Sequence, residues 1–361
     1  ARALISTSAR SGQLDEAATA LRFAESAVER TGASPELAVG LLDATGVLRY
    51  MQGDYEAASI AHRHALELET GAGSPQPANI ASHWYSIAHV AQARGELDAA
   101  LEALTRVRDV RLELFGPRHP AVADVESQTG TVLRRLGRLA ESQAASERSL
   151  AIRTEVFGPE STAVAESLNE LATVLASRGQ WDEAQAHFER TRAVSAKALG
   201  ETHPAVANAL NNLAMCAHHR KDLDTASRYM DEAYRIWIAT YGERHPLVAT
   251  ALGNMAELAH ERGDVPRATE LAGRAVEMFR AIDHGKSGYF PPVLALLGEL
   301  EREQGHSERA QNAYREVLGI AQRTHGVDAE MVKRSWCGLE RLGVAVSERP
   351  PLAAHEAIDC G

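Results

Sequence analysis

The chain repeats itself every 42 residues, and no other feature limits its possible folds as tightly. The phrase FGPRHPAVA begins at Phe115 and returns as LGETHPAVA at Leu199 and YGERHPLVA at Tyr241, with a degraded copy, FGPESTAVA, at Phe157. A second marker keeps step with it. GQLDEA, GDYEAA, GELDAA, GRLAES, GQWDEA, KDLDTA, GDVPRA and GHSERA begin at Gly12, Gly53, Gly95, Gly137, Gly179, Lys221, Gly263 and Gly305. The first step is 41 residues and every later one 42. A fixed period of roughly 20–50 residues is the signature of a solenoid, in which each unit buries its apolar face only against its neighbours.

Each copy divides into two helical halves. Between Ser161 and Gly200, residues Leu168, Leu171, Ala172 and Leu175 fall at i, i+3, i+4 and i+7 and make one apolar helix face. Gly179 ends that helix, because glycine takes a positive φ without a side-chain clash. A second helix runs from near Trp181 to about Leu199, with Ala184 and Phe188 on its buried side, and Gly200 stops it. The repeated phrase is punctuation. Its glycine closes one helix, and its proline (Pro120, Pro204, Pro246) opens the next, where no amide donor is needed. In the degraded copy Ser161 or Thr162 caps by its hydroxyl. No period-two alternation occurs, so no sheet is expected.

Small residues recur where two helices must touch. Five positions after each marker stand Ala17, Ala58, Ala100, Ser142, Ala184, Ala226, Ala268 and Ala310; seven before it stand Gly46, Ala88, Gly130, Ala172, Ala214, Ala256 and Gly298.

The stretches LNELATVLASRGQWDEA from Leu168 and LNNLAMCAHHRKDLDTA from Leu210, with the G-x-x-H-P junctions, resemble the tetratricopeptide repeat family in its 42-residue, kinesin-light-chain-like form. The resemblance covers roughly residues 10–340. It implies an all-α fold, a right-handed superhelical solenoid of antiparallel helix pairs. The array is expected over 1–342, about eight pairs with the first truncated, followed by a tail or capping segment over 343–361. Two departures stand out. The turn glycine is Lys221 in one copy, and the copy from Val125 has Glu126, Thr129 and Gly130 where leucines and alanine are expected, which predicts a less well packed first helix.

The resemblance also implies that the first helix of each pair lines a concave groove, and that the residue after its inward leucine points into it. Those residues are Asn169, Asn211, Asn212 and Asn254, with Tyr85 and Ser127 in earlier copies; His89, Arg134, Arg135, His218, His219 and His260 lie further along the same helices. Carboxamides donate and accept together, so an asparagine row suits the backbone of an extended peptide. Arg134 and Arg135 would add a preference for an acidic segment.

Catalytic and metal motifs are missing. There is no G-x-x-x-x-G-K-[ST], no G-x-S-x-G and no G-x-G-x-x-G in a strand–helix setting. Cys216 lies two and three residues from His218 and His219, poorly placed for a nucleophile and its base. His119, His203 and His245 stand two repeats and one repeat apart and read as loop and N-cap residues. His62-x-His64 and His218–His219 read as solvated or groove-lining histidines, so no metal and no cofactor is expected. Cys216, Cys337 and Cys360 are few and odd in number and give no disulfide framework, which suits a reducing, cytoplasmic setting. A formal charge of −11 argues against a nucleic-acid surface. No apolar run approaches the roughly 18 residues of a membrane span. The chain opens on ARALISTSAR, which reads as the middle of a helix, so a fragment of a longer protein is expected.

The sequence therefore predicts a non-catalytic protein- or peptide-binding scaffold, the recognition region of a larger signalling protein. The alternative is a ligand- or peptide-responsive sensor, for example beside a Ser/Thr kinase.

Overall fold

The computed structural model describes residues 14–31, 34–283, 288–323, 329–344 and 360. Among them are sixteen helices and no strand. Eight lie in a first compact unit, Ala1–Gly179: α1 (Leu14–Thr31), α2 (Pro35–Met51), α3 (Tyr55–Thr70), α4 (Pro77–Arg94), α5 (Leu97–Phe115), α6 (Pro120–Arg135), α7 (Leu139–Phe157) and α8 (Thr162–Ser177). Eight lie in a second, Gln180–Gly361: α9 (Trp181–Leu199), α10 (Pro204–His219), α11 (Leu223–Tyr241), α12 (Pro246–Glu261), α13 (Val265–Asp283), α14 (Phe290–Glu303), α15 (Ser307–Arg323) and α16 (Ala329–Arg341). The opening ARALISTSAR and most of the 343–361 tail fall outside the described residues.

In the first unit α2 packs on α3, α4 on α5 and α6 on α7; in the second, α10 packs on α11, α12 on α13 and α14 on α15. Within each unit the even-numbered helices form one row and the odd-numbered ones the other. α16 touches α14 and α15 and so continues the even row.

The packing follows the small residues. All eight positions five after the marker have no exposed surface, from Ala17 to Ala310. Ser142 shows what such a position faces: its hydroxyl donates to the carbonyl of Gly130, 2.7 Å away, so the two small rows meet across the α6–α7 hairpin. Large side chains fill the space between hairpins. Trp237, Phe279 and Phe290 are almost wholly buried, each such burial stabilising by about 1.5–3 kcal/mol.

The junction phrase is a three-part device. Its histidine is the N-cap, and the cap bond comes from the ring: Nδ1 of His119, His203 and His245 accepts the backbone N–H two residues on, at 3.1, 3.2 and 3.2 Å. The aromatic residue before the glycine stacks on that ring, Phe115 on His119 at 4.5 Å and Tyr241 on His245 at 4.1 Å. The glycine between them is required. Gly116 has φ 78° and ψ 170°, a region open to essentially no other residue.

The copy from Val125 departs from the expected looseness. Its first helix, α6, is buried at Val122, Ala123, Val125, Val132 and Leu133. The positions lacking leucine are filled with polar partners instead. Buried Glu126 accepts from Arg148 at 2.6 Å, and Thr129 donates to the Val125 carbonyl at 2.7 Å. Buried Arg153 of α7 donates to Asp124 and to Ser167, each at 3.0 Å. Every buried donor that finds an acceptor avoids a penalty of about 1–3 kcal/mol, so this interface holds by hydrogen bonds where its neighbours hold by leucine.

The cysteine reading needs correction. Cys337 of α16 and Cys360 form a disulfide, Cα atoms 5.2 Å apart, and only Cys216 is a free thiol. Spacing could not reveal this, because the sulfurs are brought together by the return of the chain end to α16, where Arg341 also donates to the Cys360 carbonyl.

Two measurements follow. Lys221 alone outside glycine has a positive φ, 62°, among the described residues; Lys221→Gly should raise stability by about 0.5–1 kcal/mol in urea unfolding, the cost of that conformation outweighing the extra freedom of the unfolded chain. A thiol titration of the denatured, unreduced protein should find one reactive cysteine, and three after reduction.

Candidate binding face

The even-row helices carry the residues that the sequence points to. In each, a buried residue is followed by a polar one: Leu168 by Asn169, Leu210 by Asn211 and Asn212, Leu252 by Gly253 and then Asn254. All four asparagines are half-buried.

Successive even-row helices meet one residue out of step with the repeat. Five of their cross-bonds link residues 43 apart, not 42. In the second unit Asn254 Nδ2 donates to Asn211 Oδ1 at 3.0 Å. His218 Nε2 meets Glu261 at 2.7 Å, and His260 Nε2 meets Glu303 at 3.1 Å. In the first unit Ser127 Oγ donates to Glu170 Oε1 at 2.7 Å, and Arg135 donates to the Gln92 carbonyl at 3.1 Å. Part of the expected peptide-clasping capacity is thus used to hold helix to helix. Asn211 also donates to Asn212 at 3.3 Å. A carboxamide has two N–H groups and two lone pairs, so one or two such bonds leave room for a ligand.

The first unit gathers Tyr85, His89 and their surroundings. The Tyr85 ring meets His89 edge-on at 4.7 Å, and the Arg111 guanidinium stands 4.9 Å above it. Burial pushes the Tyr85 hydroxyl up and the His89 imidazole down from their ordinary values. The Arg134 side chain is half-buried and makes no hydrogen bond or ion pair among the described residues, whereas exposed Arg135 donates to the Gln92 carbonyl. Asn169 lies on α8, its carbonyl accepting from Thr173.

Sequence reasoning passed over Glu170. It stands in the register of Asn212 and Asn254, one and two repeats earlier, and that register was the available signal. Its Oε2 is buried without a hydrogen-bond partner among the described residues. Burial raises its carboxyl above the ordinary value, partly offset by the Ser127 hydroxyl and by Arg153. Arg111 and Arg153 were passed over too, although one repeat separates them; each donates to the backbone carbonyl ten residues on, at Ala121 and Ala163.

The second unit holds a cleft of about 900 Å³, walled by α12, α14 and α16. Asn254 and His260 line it. Tyr314 reaches its floor from α15 through a gap between Gly298 and Gly338, where an added Cβ would stand 2.8 and 2.4 Å from the ring.

One histidine reading changes. His62 is neither solvated nor groove-lining. It is buried against Gly46, its Nδ1 3.3 Å from Asp43, and His83 approaches the same carboxylate at 3.2 Å. Burial alone would raise Asp43, but the two imidazoles hold it well below the usual carboxylate range. His219 is exposed and stacks on Trp181 at 4.2 Å. The Cys216 thiol is buried, and burial pushes it up to about 11, which leaves almost no thiolate near neutrality.

Paired helices with a polar face on one row define an α-helical repeat protein. The tetratricopeptide repeat model matches residues 79–155, 122–193, 163–227 and 205–281, more than half of the chain, and the chain belongs to the tetratricopeptide repeat family. Solved structures agree in fold. The apo quorum sensor NprR from B. thuringiensis is 12% identical with a TM-score of 0.68, over 86% of this chain and 83% of that one. A Rap protein complexed with Competence and Sporulation Factor is 13% identical with a TM-score of 0.59, over 93% and 94%. BtubC from P. vanneervenii is 22% identical with a TM-score of 0.54, over 64% and 92%. No curated protein matches the chain.

The position of Glu170 makes a pH prediction. A carboxyl whose folded value is raised favours the neutral form, so its burial costs nothing below the unfolded value, and the cost grows as pH rises from there through the folded value. Glu170→Gln should be more stable than the parent at pH 8, and the gap should close below about pH 4.5. Thermal melts at both pH values measure it; an equal gap at each would contradict the assignment.

Proposed function

We propose that the protein is a non-catalytic scaffold that binds another protein or an extended peptide on the even-row face of its helices, as the recognition region of a longer signalling protein. The contact residues we assign are Tyr85, His89, Arg134, Arg135 and Asn169 in the first unit, and Asn211, Asn212, Asn254 and His218 in the second. The observation that carries the reading is the cleft between α12, α14 and α16: at about 900 Å³ it lies within the roughly 300–1,000 Å³ common for ligand sites, and it offers amide, charged and apolar groups together. Family membership supports it, as does the Rap protein whose structure holds a bound factor. NprR, by its description a quorum sensor, lends support to a signalling role.

Chemistry on a substrate is disfavoured by the buried thiol of Cys216. Among the described residues no helix is long and apolar enough to cross a membrane. This reading adopts a cytoplasmic setting, where the Cys337–Cys360 bond would be exposed to reduction and would close once the protein is purified without reductant.

The test is the double substitution Asn211→Ala, Asn212→Ala. A partner captured by the intact chain and titrated against both proteins should bind the variant about tenfold more weakly, the loss of one or two hydrogen bonds. Unchanged affinity with an unchanged circular-dichroism melt would remove these residues from the site.

A further inference from the structure

The cleft of the second unit is electrically divided. α14 lies between α12 and α16 and touches both, so these two helices form opposite walls. The α12 wall presents Glu257 and Glu261. The α16 wall presents Lys333, Arg334 and Arg341. Several of these groups are already engaged: Glu261 is bonded by His218 and Lys221, and Arg341 by the Cys360 carbonyl. Glu257 and Lys333 make no hydrogen bond or ion pair among the described residues, and they stand on opposite walls. Between them α14 sets Val293, Leu296, Glu299 and Arg302, and the Tyr314 ring reaches the same floor from α15.

We propose that this cleft takes an amphoteric peptide segment, with a cationic side chain against Glu257, a carboxylate against Lys333, and an aliphatic side chain between them on Leu296 and Tyr314. The inference rests on the reading that the even-row face binds peptide, and it names the chemistry of the peptide. A uniformly acidic or uniformly basic segment would gain at one wall and be repelled at the other, whereas a segment carrying both charges gains at each. Leu296 and Tyr314 lie between the two walls, so an aliphatic side chain placed on them separates the two charges of the ligand. The division also fixes polarity. A segment laid in reverse would set like charges together, so one order of basic and acidic residues is favoured.

An array of end-blocked pentapeptides tests this with the full chain. First and last positions are each Lys, Gln or Glu, in all nine pairings, and the middle three are drawn from Leu, Ile, Val and Ala. The chain should retain peptides with one Lys and one Glu end in a single order, about fivefold tighter per charged end than their Gln counterparts by fluorescence anisotropy. Glu257→Gln should erase discrimination at the Lys end alone, and Lys333→Gln at the Glu end alone. The double variant Glu257→Lys, Lys333→Glu should prefer the reversed order, a result that misfolding cannot produce. A charge-blind pattern, or an order preference that the double variant leaves unchanged, would overturn the proposal. If such peptides are still weakened by Asn211→Ala, Asn212→Ala, peptide binding on the even row stands and only this assignment falls. Retention of no peptide at all defeats both.

Discussion

The architecture depends on how closely two helices of a hairpin can approach. At one position per copy, from Ala17 to Ala310, the side chain has no contact with solvent, and nothing larger than serine occupies it. Interiors packed to crystal-like density tolerate little added volume, so a larger group there would push the pair apart and shift every contact built on it. Close approach sets the spacing between rows, and the spacing decides which side chains of neighbouring hairpins reach one another. Ser142 and Gly130 show the constraint met by other means: one residue gains a hydroxyl, the other has lost its side chain, and a hydrogen bond joins them.

Once that spacing is set, buried polar groups can substitute for apolar ones if they are all partnered. The region from Asp124 to Ser167 does this with Arg153, Glu126 and a series of buried serines. The same logic makes Glu170 conspicuous, since one of its oxygens has no protein partner among the described residues while its neighbours are satisfied. Polar satisfaction and binding capacity compete on the even-row face. Asn211, Asn254, His218 and Arg135 hold adjacent helices together, so a ligand on the proposed face would have only what those bonds leave over.

Much of the face was legible because it is periodic. Asn212 and Asn254 could be picked out as equivalents before any coordinates, and Glu170 could have been, since it falls in the same register. The one-residue slip between neighbouring helices could not. It comes from how helices settle against each other, and it converts a row of independent amides into linked pairs. The place of His62 was equally hidden. Its spacing from His64 suggested a solvent-facing pair, but Gly46 opens a slot on the facing helix that its ring fills.

The sequence by itself determined the helices, their ends and their pairing. Those rest on local rules: glycine at positive φ, proline at the first helical position, histidine at the cap, and apolar residues at helical spacing. Tertiary structure alone decided the Cys337–Cys360 bond, the Tyr314 ring between Gly298 and Gly338, and the separation of Glu257 from Lys333 across one cleft. Each of these joins residues from different helices, and their meeting depends on packing geometry that a one-dimensional period does not contain.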